Sequence, residues 1–228
     1  MNFSRYAVYF TLPDGPLDQF CAAWLGWNAK TAERLDPPMV DDLPMPPHDI
    51  TATPRKYGFH GTIKPPFRLA EAQSFDALRD AVSDLCASAA PVALDGFELA
   101  RLGGFLALVP DGDATGLANL AARVVQELDD FRAPLNEAEL AKRRNRPLTP
   151  AQEAYLDAWG YPYVLEEFRF HMTLSGSLDI QQAEEVRAAL MKPLAPLLPR
   201  PVQIDALTLC GEDTNGMFHE LHRYTLTG

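Results

Sequence analysis

The chain has 228 residues, 47% of them hydrophobic, with 31 acidic against 20 basic side chains and a formal net charge of −11. That length supports one large domain or two small lobes, and the sign of the charge argues against a protein that grips a long nucleic acid by its phosphates. No stretch approaches the ~20 apolar residues of a membrane span, no secretion signal follows Arg5, and Cys21, Cys86 and Cys210 are too few and too scattered for a disulfide frame or zinc site, so a soluble cytoplasmic protein with core thiols is expected.

In chain order, Tyr6 to Leu12 alternates large and small residues and predicts a strand, followed by a short helix over Leu17 to Leu25. The stretch Pro37 to Asp49 carries five prolines and predicts a stiff surface loop, in which His48 is given no role. A strand around Phe59 to Ile63 comes next. Phe75, Leu78, Val82 and Leu85 then recur at helical spacing, with Ser74 as N-cap. A strand follows at Pro91 to Leu99. The second half repeats the order: a strand over Phe105 to Val109, a helix marked by Leu117, Leu120, Val124 and Leu128, and a strand around Phe170 to Leu174. A helix marked by Ala183, Val186 and Leu190 is expected to end at Pro193. Strands at Pro201 to Leu209 and Leu221 to Leu226 complete the chain. The segment 134–163 has no counterpart in the first half and predicts two helices. One of them begins at a capping box, Thr149-Pro150-Ala151-Gln152, and stops at Gly160.

The parallel order reflects an internal duplication. Tyr6 to Phe10, leading into Pro13-Asp14-Gly15, matches Phe105 to Val109, leading into Pro110-Asp111-Gly112. Phe59-His60-Gly61-Thr62-Ile63 matches Phe170-His171-Met172-Thr173-Leu174, and Pro91 to Leu99 matches Pro201 to Leu209. The last two matches are spaced by 111 and 110 residues, so they hold register to within one position. The expected architecture is α+β. It comprises two pseudo-symmetric lobes, 1–103 and 104–228, each an antiparallel sheet with helices, and an active site in the cleft between them.

In a strand, residues two apart share a face. His60 projects with Thr62, and His171 with Thr173, so related lobes would bring two imidazoles and two hydroxyls to one point. That set suits displacement at phosphorus. A neutral imidazole takes a proton from water, an imidazolium gives one to the leaving alkoxide, and hydroxyls donate to the non-bridging oxygens. Which histidine plays which part is open. Lys64 and Ser175 stand two beyond each threonine, and Lys56 four before His60, on the same cleft-facing side, where each is expected to meet the phosphate. Arg143, Arg144 and Arg146 form the densest basic cluster in an acidic chain, and Tyr161 and Tyr163 could flank a sugar or base. His219 and His222 would point to opposite faces of a strand, which does not make a metal site.

The paired His-x-Thr motifs, within Phe59 to Lys64 and Phe170 to Ser175, resemble the signature of the two-histidine phosphoesterase superfamily, and the duplicated lobes extend the likeness over nearly the whole chain. The resemblance implies a bilobal fold and metal-independent, cofactor-free opening of a cyclic phosphodiester, with His60, Thr62, His171 and Thr173 in the catalytic positions. Arg55 to Phe67, Arg143-Arg144 and Trp159 to Tyr163 resemble, more narrowly, a bacterial subfamily associated with phosphonate-utilisation operons. That likeness implies a ribose cyclic phosphate such as 5-phosphoribosyl 1,2-cyclic phosphate, with Arg143 and Arg144 on an extra phosphate. Two alternatives remain at this point: processing or 2′,5′ ligation of RNA 2′,3′-cyclic phosphate ends, and a non-catalytic module that senses a nucleotide or phosphosugar. In each reading the partner is a small phosphorylated molecule or an RNA end, and not a membrane.

Overall fold

The computed structural model describes residues 3–228. Its strands are β1 (Arg5–Phe10), β2 (Trp27–Asn28), β3 (Glu33–Arg34), β4 (Gly61–Phe67), β5 (Val92–Leu94), β6 (Gly96–Leu102), β7 (Phe105–Asp111), β8 (Met172–Thr173), β9 (Val202–Ile204), β10 (Ala206–Glu212) and β11 (Phe218–Thr225). Its helices are α1 (Pro16–Leu25), α2 (Pro47–Ile50), α3 (Phe75–Ala87), α4 (Thr115–Glu127), α5 (Glu137–Arg143), α6 (Pro150–Trp159) and α7 (Ile180–Leu194). The class is α+β. Seven strands form one antiparallel sheet in the order β11-β10-β1-β4-β8-β7-β6.

Local signals account for the helices. Ser74 Oγ accepts from Ala77 N at 3.1 Å and starts α3, while Thr149 and Gln152 close a reciprocal capping box on α6. Gly160 ends α6 at φ 70°, a conformation that costs glycine little. Helix α7 runs one residue past the expected stop, with Pro193 inside it. The predicted proline-rich loop ends in the single turn of α2. The three cysteines are buried and free.

The duplication is visible as a pseudo-two-fold through the sheet. β4 and β8 meet at one pair, Gly61 opposite Met172, which are equivalent positions of the repeat. β5 and β9 pair in the same manner, with Ala93 opposite its counterpart Gln203. The two repeats nevertheless exchange strands across the expected division near 103/104. Strand β6 pairs with β7 rather than with β1, and its counterpart β10 pairs with β1, so the two repeats exchange these equivalent strands. The reason is local. Gly103-Gly104 makes a two-residue hairpin turn, with Gly103 at φ 60°, and a cut at 103/104 passes through it.

One face of the sheet carries the main core, in which Val8, Phe10, Ile63, Leu106, Leu108 and Leu174 are buried with residues of α1, α3, α4 and α7. On the other face alternate residues such as Arg5, Thr62 and Thr173 surround a small buried apolar cluster of Ala7, Tyr9, Cys210 and Phe218. Segment 26–59 and the insertion 134–163 contribute walls around that face. Arg68 anchors the insertion through Glu139 and the Pro134 carbonyl.

Candidate active site

The two His-x-Thr segments lie side by side at the pseudo-two-fold, and burial alternates along each. Gly61, Ile63, Met172 and Leu174 are buried, while His60, Thr62, His171 and Thr173 are partly open on the other side. His60, Thr62 and Thr173 border a cleft of about 490 Å³, and Phe105, whose ring is 5.6 Å from that of His171, borders it as well. His171 stands beside this cleft rather than in its immediate lining.

Each imidazole is held in the same way. His60 Nδ1 lies 3.0 Å from the Gly58 carbonyl and His171 Nδ1 2.8 Å from the Arg169 carbonyl, in both cases two residues back. A carbonyl only accepts, so in the neutral rings Nδ1 carries the proton and Nε2 is left as the acceptor nitrogen. In neutral His60 that Nε2 has a free lone pair, and the Thr62 hydroxyl at 3.2 Å donates to it. Tyr9 packs its ring 3.9 Å from that of His60, and Tyr57 stands at 5.8 Å. Burial behind these rings pushes the His60 pKa down to about 4; the Gly58 bond opposes the shift, and the charge of His171 adds to it.

The insertion brings cations. Lys142, Arg143 and Arg146 border the cleft, and Arg143 lies over the Tyr161 ring at 4.5 Å. Nearby acids are already engaged, Glu139 by Arg68 and Glu153 and Asp157 by Arg144. Among the described residues the three cations have no carboxylate partner. Arg5, which also lines the cleft, is neutralised by Glu212 through two N–H bonds. Tyr161 is enclosed enough that burial raises its phenol pKa.

Several expected contacts are redirected. Lys64 does not face the cleft: it is 2% exposed and donates to the Val125 carbonyl at 3.0 Å, beneath α4, with Asp129 at 3.4 Å. A bulge is responsible. Thr62 pairs with Tyr9 but Lys64 pairs with Val8, so β4 gains a residue on β1 and the lysine turns to the helix side. Burial lowers its pKa to about 8. Lys56 belongs to a helical turn rather than a strand, and its ammonium sits over Tyr57 outside the cleft lining. Ser175 does border the cleft, yet its hydroxyl accepts from Leu106 N and donates to the Gly176 carbonyl, both at 2.9 Å. Arg144 turns outward to Glu153 and Asp157, because α5 ends at Arg143. Tyr163 is 45% exposed and touches the site only through the edge of Tyr161. Arg5, Tyr9, Tyr57, Phe105 and Lys142 were not anticipated as cleft residues. They come from distant segments, and only the alternation of β1 hinted at the first two.

His219 bonds Asp213 at 3.0 Å, and no group of three or more His, Cys, Asp or Glu side chains among the described residues could hold a metal ion.

These features define a duplicated α+β chain with two imidazole–threonine pairs at its pseudo-two-fold. The chain belongs to the family described as Protein of unknown function (DUF1045), whose model matches residues 62–219. It is 38% identical over 234 residues to a protein of Janthinobacterium sp. (strain Marseille) named ribose 1,5-bisphosphate phosphokinase PhnN, covering 100% of this chain and 52% of that one. A Laribacter hongkongensis protein of the same name is 33% identical over 186 residues, covering 77% of this chain and 40% of its own. The chain thus spans about half the length of the curated relatives it matches. Solved structures similar to it include E. coli LigT with 3′-AMP, at TM-score 0.47 and 16% identity, and E. coli LigT with NADP+, at TM-score 0.47 and 13% identity, each covering 100% of both chains.

Proposed function

We propose that this chain is a cyclic phosphodiesterase that opens a five-membered cyclic phosphate on a ribose-type diol without a metal. The observation that carries the reading is the matched pair of imidazoles, each with Nδ1 tied to a carbonyl and each followed by a threonine. His60, neutral through burial, takes a proton from water at Nε2. The water oxygen bonds to phosphorus, and one ring P–O bond breaks. His171 gives its Nε2 proton to the departing alkoxide, so the product is a phosphomonoester and a free hydroxyl. Thr62 and Thr173 donate to the non-bridging oxygens as charge builds there.

The unneutralised Lys142, Arg143 and Arg146 suit a substrate with a second phosphate. 5-Phosphoribosyl 1,2-cyclic phosphate is such a molecule. Cleavage of its P–O2 bond leaves phosphate on C1 and C5, which is ribose 1,5-bisphosphate, the compound in the names of the two relatives. The acidic balance of the chain favours this small substrate over a long RNA.

The test is ³¹P NMR of that cyclic phosphate and of an RNA 2′,3′-cyclic end, in chelator. The sugar phosphate is turned over faster, and His60→Ala and His171→Ala each lose about 10²-fold or more while keeping the native circular dichroism. Wild-type turnover by either variant overturns the paired mechanism. Binding of cyclic phosphates with no turnover at any pH replaces it with a sensor.

A further inference from the structure

A second cavity, of about 440 Å³, lies behind the cleft, between the end of α1, the β3–α2 connection and the turn Arg55–Tyr57. Its size is that of a small-molecule site. The two cavities share no lining residue, yet they share a wall. Within segment 51–58, Thr51, Ala52, Arg55 and Lys56 face the second cavity, while Thr53, Pro54, Tyr57 and Gly58 face the cleft.

The charge at this cavity runs against that of the chain. Arg34, Arg55 and Lys56 line it, with Asp36 the one carboxylate in the lining. Arg55 is fixed by donating Nε to the Leu25 carbonyl at 3.0 Å and Nη2 to the His48 carbonyl at 2.8 Å and to Thr51 Oγ1 at 3.0 Å. All three partners are neutral, so the guanidinium is held in place without losing its charge. Lys56 rests 4.9 Å from the centre of the Tyr57 ring. Among the described residues none of these three cations has a carboxylate within ion-pair distance. Leu35, Pro37 and Met217 supply an apolar wall.

We propose that this cavity is a second anion site, taking a small organic phosphate whose phosphate meets Arg34, Arg55 and Lys56 and whose body lies against Leu35, Pro37 and Met217. Its occupancy bears on the cleft through the partition, since Gly58, three residues beyond Arg55, holds the His60 ring by its carbonyl. The site differs in place and residues from the one that opens the cyclic phosphate.

Calorimetric titration of ADP and of inorganic pyrophosphate tests this without any turnover, so the site stands or falls separately from the proposed activity. Three proteins are compared: wild type, Arg143→Glu in the cleft, and Arg34→Glu/Lys56→Glu. The expected result is ADP binding to wild type and Arg143→Glu within about twofold, and at least tenfold weaker to the double variant. Pyrophosphate binds more weakly than ADP, and the His60 imidazole NMR signals move when ADP is added to Arg143→Glu. Binding lost with Arg143, binding unaffected in the double variant, or no binding up to millimolar ADP each overturns the site. Equal binding of pyrophosphate and ADP removes the apolar wall from the proposal, and unmoved His60 signals remove the coupling. Should the double reversal unfold, Arg34→Gln/Lys56→Gln is read in the same way.

Discussion

If His60 is the base, acidity should reach it late. An imidazole with the ordinary pKa near 6.5 is about 3% neutral at pH 5, whereas one held at about 4 is about 90% neutral there. The acid limb of kcat/KM is therefore expected near pH 4, with the rate at pH 5 close to its plateau rather than about thirtyfold below it. The rings of Tyr9 and Tyr57 are part of the cause, because they exclude water from one side of the imidazole and leave the charged form poorly solvated. The same shift acts on folding. In the unfolded chain His60 takes up a proton near 6.5 and in the folded chain only near 4, so the unfolded state binds more protons in between. Stability is then fully supported by this group above pH 6.5 and falls as pH drops from 6.5 to 4. The assay is initial-rate kinetics on the cyclic sugar phosphate from pH 4 to 8 at constant ionic strength, with urea unfolding at each pH to separate loss of base from loss of fold. An acid limb near 6.5 in protein that is still folded would refute the assignment of His60 as a neutral, buried base.

Two further outcomes follow from packing. A methyl group on Gly61 would overlap the ring of Phe170 at the pseudo-two-fold, so Gly61→Ala is expected to cost about 1–3 kcal/mol and lower Tm by several degrees; an unchanged melting curve contradicts that contact. Lys64→Met keeps the stem under α4 and leaves Asp129 paired with Arg132, so it should change stability by no more than about 2 kcal/mol and leave turnover within a few-fold of wild type. A hundredfold fall in kcat would return Lys64 to the phosphate.

Much of this was legible in sequence because it rests on short-range chemistry. Ser74 and Thr149 declare helix starts by accepting N–H bonds on their hydroxyls, Gly160 a helix end by its left-handed backbone, and His60 and Thr62 share a face by strand period alone. The class and the duplication were readable from repeats that kept register. The fate of Lys64 was not, because a single bulge reverses which side a strand residue faces, and nothing in Thr62-Ile63-Lys64 announces one. Arg143 is the last residue of α5 and lies over Tyr161, while Arg144, just beyond the helix, turns to Glu153, and the sequence does not mark where the helix stops. The strand exchange was hidden for a further reason: repeat matching says which strands are equivalent, not which ones pair. Tyr57, Phe105 and Lys142 reach the cleft from three separate segments, and their convergence has no sequence spacing.

The exchange of β6 and β10 also bears on cooperativity. Each side of the sheet is completed by a strand whose sequence neighbours belong to the other repeat, and β5 and β9 tie the two crossings together. Neither repeat can melt without stripping an edge from its twin. The two imidazoles, each one residue before a strand that meets the other at the centre, are thus assembled and lost as one unit. A half-folded molecule with one histidine segment in its native place is not among the states this topology favours.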